Sequence, residues 1–226
     1  MTDTPIRVAT FNIRHAQGKS GAADIQATAD VIKSLEADLI AIQELDVGLR
    51  RSKRMDQPAE LADRLGMHVY FAPAMSMDQG EYGIALAASD EFRATVEQLP
   101  RANDEEPRVA IIAGWRGIGI VTTHLSRSAA ARNQQTDKLA DLVGKLGTPA
   151  IVLGDLNQPI KSLGALTGAG LTPAKAPMRA AKVLRRDFQI DHILVTKDLE
   201  VRKAWTIPTS ASDHNPLIAD IARRSP

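Results

Sequence analysis

The segment Ile151-Val-Leu-Gly-Asp155-Leu-Asn157 constrains the fold more than any other part of the chain. An apolar run that breaks into Gly-Asp-Leu-Asn reads as a buried strand. Its end delivers a carboxylate and a carboxamide to one rim of a sheet. Asp155 and Asn157 are two residues apart, so in extended chain they point the same way. The pair suits chemistry at an anionic centre. One group can take a proton or hold a metal, and its neutral neighbour can donate a hydrogen bond without adding negative charge.

A second polar cluster, Ser212-Asp213-His214-Asn215-Pro216, lies at a strand entrance near the C-terminus. A carboxylate beside an imidazole there suits a metal and phosphate site.

Between these landmarks strands and helices interleave. Strands are predicted at 6–13, 38–43, 150–154, 189–196, 201–206 and 216–221. Ile25, Ala29, Ile32 and Leu35 recur at helical spacing over 24–35. Residues 58–65 form a short helix, with Pro58 near its start and Gly66 just past its end. Residues 82–88 and 93–99 read as paired strands, and 108–113 with 118–125 as a hairpin around Gly114-Trp115-Arg116-Gly117. The Gly114-x-x-Gly117-x-Gly119 spacing is not a phosphate loop, because no helix follows it. Residues 128–146 place Leu139, Leu142, Val143 and Leu146 on one helical face. Residues 161–182, rich in Gly, Ala, Pro and Thr, read as loop with little regular structure.

The two halves echo one another. Each runs strand, helix, strand, the first ending at Glu44 and the second at Asp155. Asn12 closes the first strand of one half and His124 the matching strand of the other. Asn12 to Glu44 is 32 residues, and His124 to Asp155 is 31. If the halves are related, all four residues converge on one edge of a two-layered sheet sandwich.

At 226 residues the chain can bury a substantial core, and one domain spanning 1–226 is expected. Lys+Arg number 28 against 27 Asp+Glu, a net charge of +1 that neither demands nor excludes a polyanionic partner. There is no cysteine, so any metal is held by oxygen and nitrogen ligands, which favours Mg²⁺ or Mn²⁺. Aromatic residues make up 4% of the chain, which disfavours single-strand binding by base stacking. The polar start Met1–Pro5 argues against a signal peptide, and no run approaches the roughly 18 apolar residues of a membrane span. A soluble, cytoplasmic monomer is the expectation.

Five segments in order carry a family resemblance: Ala9-Thr-Phe-Asn12-Ile, Ala41-Ile-Gln43-Glu44, Thr122-Thr-His124-Leu, Gly154-Asp155-Leu-Asn157 and Ser212-Asp213-His214. Gly80-Glu-Tyr82-Gly83-Ile-Ala85 and Ile190-Asp191-His192-Ile193-Leu also fit. The chain resembles the endonuclease/exonuclease/phosphatase superfamily, with its DNase I-like fold. The resemblance implies an α/β (α+β) four-layered sandwich, two packed mixed sheets flanked by helices, and divalent-metal-dependent cleavage of phosphate esters.

Carried over by position, the resemblance makes Glu44 the principal Mg²⁺ (or Mn²⁺) ligand, with Asn12 beside it and Asp213 completing the metal side. Asp155 orients or deprotonates the attacking water. Asn157 and His124 contact the phosphate. His214 hydrogen-bonds it or moves a proton, oriented and kept cationic by Asp191. Tyr82 is a candidate for lining the site, and Arg14 and His15 for touching substrate. His192 reads as packing.

Arg50-Arg51-Ser-Lys-Arg54 forms a basic cluster on the expected rim, able to grip a nucleic-acid backbone or an anionic head group. The expected reaction is phosphodiester hydrolysis, on nucleic acid or on a small-molecule or lipid-head-group diester. A phosphomonoesterase is the alternative, with Arg127, Arg132 and Lys161 as added cations. A non-catalytic phosphate-binding module is the remaining reading.

Overall fold

The computed structural model describes residues 4–19, 21–102, 105–147, 149–177 and 189–224. One six-stranded sheet has the order β11 (Leu199–Thr206), β12 (Leu217–Arg223), β1 (Ile6–Asn12), β2 (Leu39–Val47), β4 (Gly80–Ala88), β3 (His68–Met77). The other has the order β5 (Arg93–Gln98), β6 (Val109–Trp115), β7 (Ile118–His124), β8 (Ala150–Asp155), β10 (Asp191–Val195), β9 (Thr172–Pro173). Helices α1 (Ile25–Ser34) and α2 (Gln57–Leu65) cover the first sheet, and α3 (Ala129–Leu146) and α4 (Gly164–Gly168) the second. The expected four-layered sandwich of two mixed sheets is what the chain forms.

The central strands are apolar on both faces because both are covered. In β1, Val8 packs between the sheets, while Ala9 and Phe11 pack under α1. In β8, Ile151 and Leu153 face the other sheet, while Val152 packs under α3. Each fully buried Ile, Leu or Phe contributes about 1.5–3 kcal/mol. Helices α1 and α2 start where an aspartate caps them. Asp24 accepts the Ala27 N–H at 3.0 Å, and Asp56 accepts the Ala59 N–H at 3.0 Å.

The internal echo is present in the registers. β1 and β2 are parallel with Asn12 opposite Gln43, and β7 and β8 are parallel with His124 opposite Asp155. Both matched pairs are 31 residues apart. The extra residue of the first half is Glu44. The β2–β4 register shifts between Gln43 and Leu45, and Glu44 has φ 62°. Strict alternation would send Glu44 to the helix-covered face with Ile40 and Ile42. The bulge instead turns it toward Asn12.

Several elements differ from expectation. β2 does not stop at Gln43; it runs through the bulge to Val47. The strand starting near Tyr82 does not pair with the strand starting at Arg93. β4 lies between β2 and β3, and β5 pairs with β6 in the other sheet. The sequence pattern does not reveal β3, because Pro73 interrupts it. It is an edge strand with a register shift at Pro73/Met75, a setting that tolerates proline. The segment from Lys161 is not plain loop: it holds α4 and β9 and anchors Leu163, Leu166 and Leu171 in the core under α3. The rest of that expectation, from residue 178 on, lies outside the described residues. Among those described, no helix is long and apolar enough to cross a membrane.

Candidate active site

The site is assembled at one end of the sandwich, between the sheets. Three neighbouring strands place His124, Asp155 and Asp191 in one row: His124 is opposite Asp155 across β7–β8, and Asp191 is opposite Asp155 across β8–β10. The strands crowd here. Gly154 has φ 150°, and a Cβ there would overlap the Thr123 carbonyl oxygen. From the opposing sheet, buried Asn12 reaches across. Its Nδ2 donates to Glu44 Oε1 at 2.9 Å and to Asp155 Oδ2 at 3.1 Å. Its Oδ1 accepts the Arg14 N–H at 3.0 Å. The reverse orientation of the carboxamide would set a carbonyl oxygen against two carboxylates.

Asp155 and Asn157 do not project in parallel from extended chain. The strand ends at Asp155, Asn157 takes φ 52°, and its N–H folds back onto Asp155 Oδ1 at 2.9 Å. The Asn157 side chain is fixed by donating to the Leu125 carbonyl at 2.9 Å, and it still lines the cleft.

Asp155 is fully buried, and burial followed by the charge of Asp191 pushes its pKa up to about 7. Its Oδ2 lies 3.8 Å from His214 Nε2 and 3.6 Å from His124 Nε2. The two imidazoles have opposite character. Burial alone would push His214 down. The attraction and hydrogen bond of Asp191, whose Oδ2 is 2.9 Å from Nδ1, outweigh it and hold the pKa at about 10. His124 is driven well below the usual histidine range by burial and then by the Arg108 guanidinium. Arg108 Nη1 is 3.3 Å from His124 Nδ1, which makes Nδ1 the acceptor of a neutral ring. His192 packs on the far face, with Nε2 2.8 Å from the Gln158 carbonyl, as expected.

A cleft of about 770 Å³ opens over this row, and Glu44, Tyr82, His124, Asp155, Asp213 and His214 are part of its wall. Glu44 is mostly buried, and burial raises its pKa. Arg108 also lines the cleft at 5% exposure. In the sequence its one signal is a charged residue opening an apolar strand. Burial, and then Glu44, push the Tyr82 hydroxyl up, so it stays a neutral donor. Arg127 lines the cleft, while Arg132 donates to the carbonyls of Ser126 and Arg127 and Lys161 is not part of the wall.

The basic cluster is largely committed within the chain. Arg51 grips buried Asp46 at 2.7 and 2.8 Å and stacks 5.2 Å from the Tyr82 ring centre. Arg50 faces Asp78 at 3.8 Å, Lys53 donates to the Ala23 carbonyl, and Arg54 to that of Gly48. Of these, only Arg51 lines the cleft. Arg14 is not part of the wall; it faces Asp213 at 3.9 Å. It begins a left-handed turn: Arg14, His15 and Ala16 have φ of 48°, 45° and 59°. Each such residue costs about 1–2 kcal/mol, so the surroundings must enforce the turn.

The endonuclease/exonuclease/phosphatase family pattern matches residues 9–214, which takes in every site residue from Asn12 to His214. The chain belongs to this family. Members of the endonuclease/exonuclease/phosphatase family are metal-dependent phosphoester hydrolases. No curated protein sequence is significantly similar to the chain. Solved structures share its fold. A family protein from Beutenbergia cavernae superposes with TM-score 0.80 at 19% identity, covering 97% of this chain and 72% of that one. A mannosyl-6-phosphatase from Bacteroides thetaiotaomicron gives 0.78 at 18% identity, covering 96% and 99%. The human Nocturnin catalytic domain with bound sulfate gives 0.73 at 19% identity, covering 97% and 95%.

Among the described residues, one group of side chains brings three potential metal ligands together, and Glu44 stands outside it. Asp155, Asp191 and His214 bring their ligand atoms within 4.8 Å of one another. The His214 proton already occupies that set, because Asp191 binds it and stabilises it. The Glu44 side offers an oxygen donor with no such proton, and a cation there would offset the cost of burying its charge. That oxygen chemistry fits a hard divalent ion.

Proposed function

We propose that the protein hydrolyses phosphodiester bonds by in-line attack of water, with Mg²⁺ or Mn²⁺ held by Glu44. Asn12 supports Glu44 from behind the cleft wall, and Asp213, which also lines the cleft, would complete the metal side. When bound, the cation neutralises a non-bridging phosphate oxygen and the charge that builds there.

The observation that carries this reading is the opposition of Asp155 and His214. A carboxylate poised at about 7 faces an imidazolium poised at about 10 across 3.8 Å. Asp155 takes the proton of the attacking water or aligns it. His214 donates from Nε2 to the phosphate or the leaving oxygen, with Asp191 holding the ring. Asn157 and neutral His124 donate to the remaining oxygens. A base and an acid placed so are each worth roughly 10²–10⁴ in rate. Tyr82 and Arg51 shape the metal-side wall. Arg14, turned toward Asp213, acts on substrate only through that carboxylate.

The commitment of the basic cluster to internal partners favours a compact diester over a long nucleic-acid backbone. A second reading, hydrolysis of a phosphomonoester, is supported by Arg108 and Arg127 in the wall, since a dianionic terminal phosphate needs more positive charge.

The test is hydrolysis of bis-p-nitrophenyl phosphate beside p-nitrophenyl phosphate, with Mg²⁺, Mn²⁺ or EDTA. Metal-dependent cleavage of the diester supports the first reading, and preference for the monoester the second. Turnover that survives EDTA would overturn both.

A further inference from the structure

His15 has no part in the scheme above, yet the chain goes to some length to place it. It is the middle residue of the left-handed turn, with φ 45° and ψ 39°. The turn is clamped on every side. Ala16 N–H donates to the Ile13 carbonyl at 2.9 Å, and Asp24 N–H to the Ala16 carbonyl at 2.9 Å. Gln57 is fully buried in α2. Its Nε2 donates to the His15 carbonyl at 2.7 Å, and its Oε1 accepts the Asp46 N–H at 2.9 Å. The helix thereby ties the turn to the end of β2, three residues after the metal-side bulge begins at Gln43.

The clamps deliver the His15 ring to Glu44. His15 Nδ1 is buried, has no hydrogen-bond partner among the described residues, and lies 3.7 Å from Glu44 Oε2. That separation is too long for a hydrogen bond. It suits two donors sharing one ion, since first-row divalent cations bind nitrogen and oxygen at about 2.0–2.2 Å. A buried ring nitrogen left without a partner is costly, and one aimed at a metal-binding carboxylate has an obvious use.

We propose that His15 is a nitrogen donor to the cation that Glu44 holds, so that the site prefers transition-metal ions to Mg²⁺. The proposal rests on the metal-side role given to Glu44 above. With carboxylate and water alone, such a site suits Mg²⁺ and Mn²⁺ alike. An imidazole nitrogen adds affinity for Co²⁺ and, less strongly, Mn²⁺, while strongly hydrated Mg²⁺ gains little.

The test is calorimetric titration of the metal-free protein with Mg²⁺, Mn²⁺ and Co²⁺, together with the visible absorption of the Co²⁺ form. His15→Asn is the main variant, because asparagine tolerates a left-handed backbone; His15→Ala and Glu44→Gln accompany it. Wild type binds in the order Co²⁺, Mn²⁺, Mg²⁺. Both His15 variants lose about tenfold or more for Co²⁺, shift its absorption band and leave Mg²⁺ within about threefold. Equal effects on all three ions, or none, would overturn the proposal for His15 provided Glu44→Gln abolishes binding. If Glu44→Gln also leaves metal binding intact, the metal-side reading itself fails. Melting curves of the apo variants identify any that does not fold, and His15→Asn then decides.

Discussion

His214 Nδ1 lies 2.9 Å from Asp191 Oδ2, while Nε2 of the same ring points back to Asp155 at 3.8 Å. One imidazole thus bridges the two carboxylates that face each other across β8 and β10. Asp191→Asn removes the charge that outweighs burial, so the His214 pKa falls from about 10. Turnover should drop by about 10²–10⁴ at neutral pH. A drop of less than threefold would remove Asp191 from the acid–base set.

The same pair makes a linkage prediction. The His214 pKa is raised in the folded protein from 6.5 to about 10. The folded state therefore binds the extra proton between those values, and stability falls as pH rises through that window. Below 6.5 the contribution is fully present. Asp155, raised from 3.8 to about 7, has the same sign in its own window. Denaturant melts of the metal-free protein from pH 6.5 to 10 should show the decline, and Asp191→Asn should flatten it. An unchanged slope in the variant would place the titrating proton elsewhere.

Asn12 is the neutral spacer between Glu44 and Asp155. Asn12→Asp puts a third carboxylate within hydrogen-bond range of the other two. Apo stability should fall by about 2–4 kcal/mol. A divalent cation should then restore more stability to the variant than it adds to wild type. Thermal melts with EDTA and with Mn²⁺ check this. Equal melting of the two apo proteins would show that the carboxylates are not held close by Asn12.

Arg108→Met should raise the His124 pKa from its depressed value, since burial persists but the neighbouring cation is gone. The shift is read by NMR titration of the ring. Loss of a charge-assisted hydrogen bond costs about 1.5–3 kcal/mol, so kcat/KM should fall about tenfold to hundredfold, mainly through KM. A loss larger for the monoester than for the diester would favour the phosphomonoesterase reading. An unmoved His124 titration would contradict the contact.

Much of the site was legible because its residues end apolar strands. Asn12, His124 and Asp155 stand at the close of β1, β7 and β8, where alternation fixes the face and burial fixes the run. Glu44 is legible through resemblance and spacing, but its bulge is not, because a one-residue register shift leaves no mark on an apolar pattern. Asn157 misled for a related reason: Gly-Asp-Leu-Asn reads equally as strand end or as the Asx-type turn it adopts. Arg108 and the Gln57 clamp depend on contacts between residues distant in sequence. β3, with Pro73 inside it, could be recognised only once its edge position was known.

Glu36 gives a test of the backbone alone. It follows α1 with φ 51°, the left-handed position that commonly ends a helix and that glycine occupies without strain. Its side chain is 81% exposed, and its ion pair to Arg7 Nη1 at 3.2 Å is of the solvent-screened kind that contributes little. Relief of roughly 1–2 kcal/mol of left-handed strain exceeds glycine's entropic cost of roughly 0.5–1 kcal/mol, so Glu36→Gly should stabilise the protein by about 0.5–1 kcal/mol. For a chain of this size that raises Tm by about 1–4 °C, with no change in metal binding or turnover. A lower Tm would mean that the Arg7 contact, which also involves Asp220 at 2.8 Å, holds the β1–β12 edge more tightly than the left-handed strain weakens it.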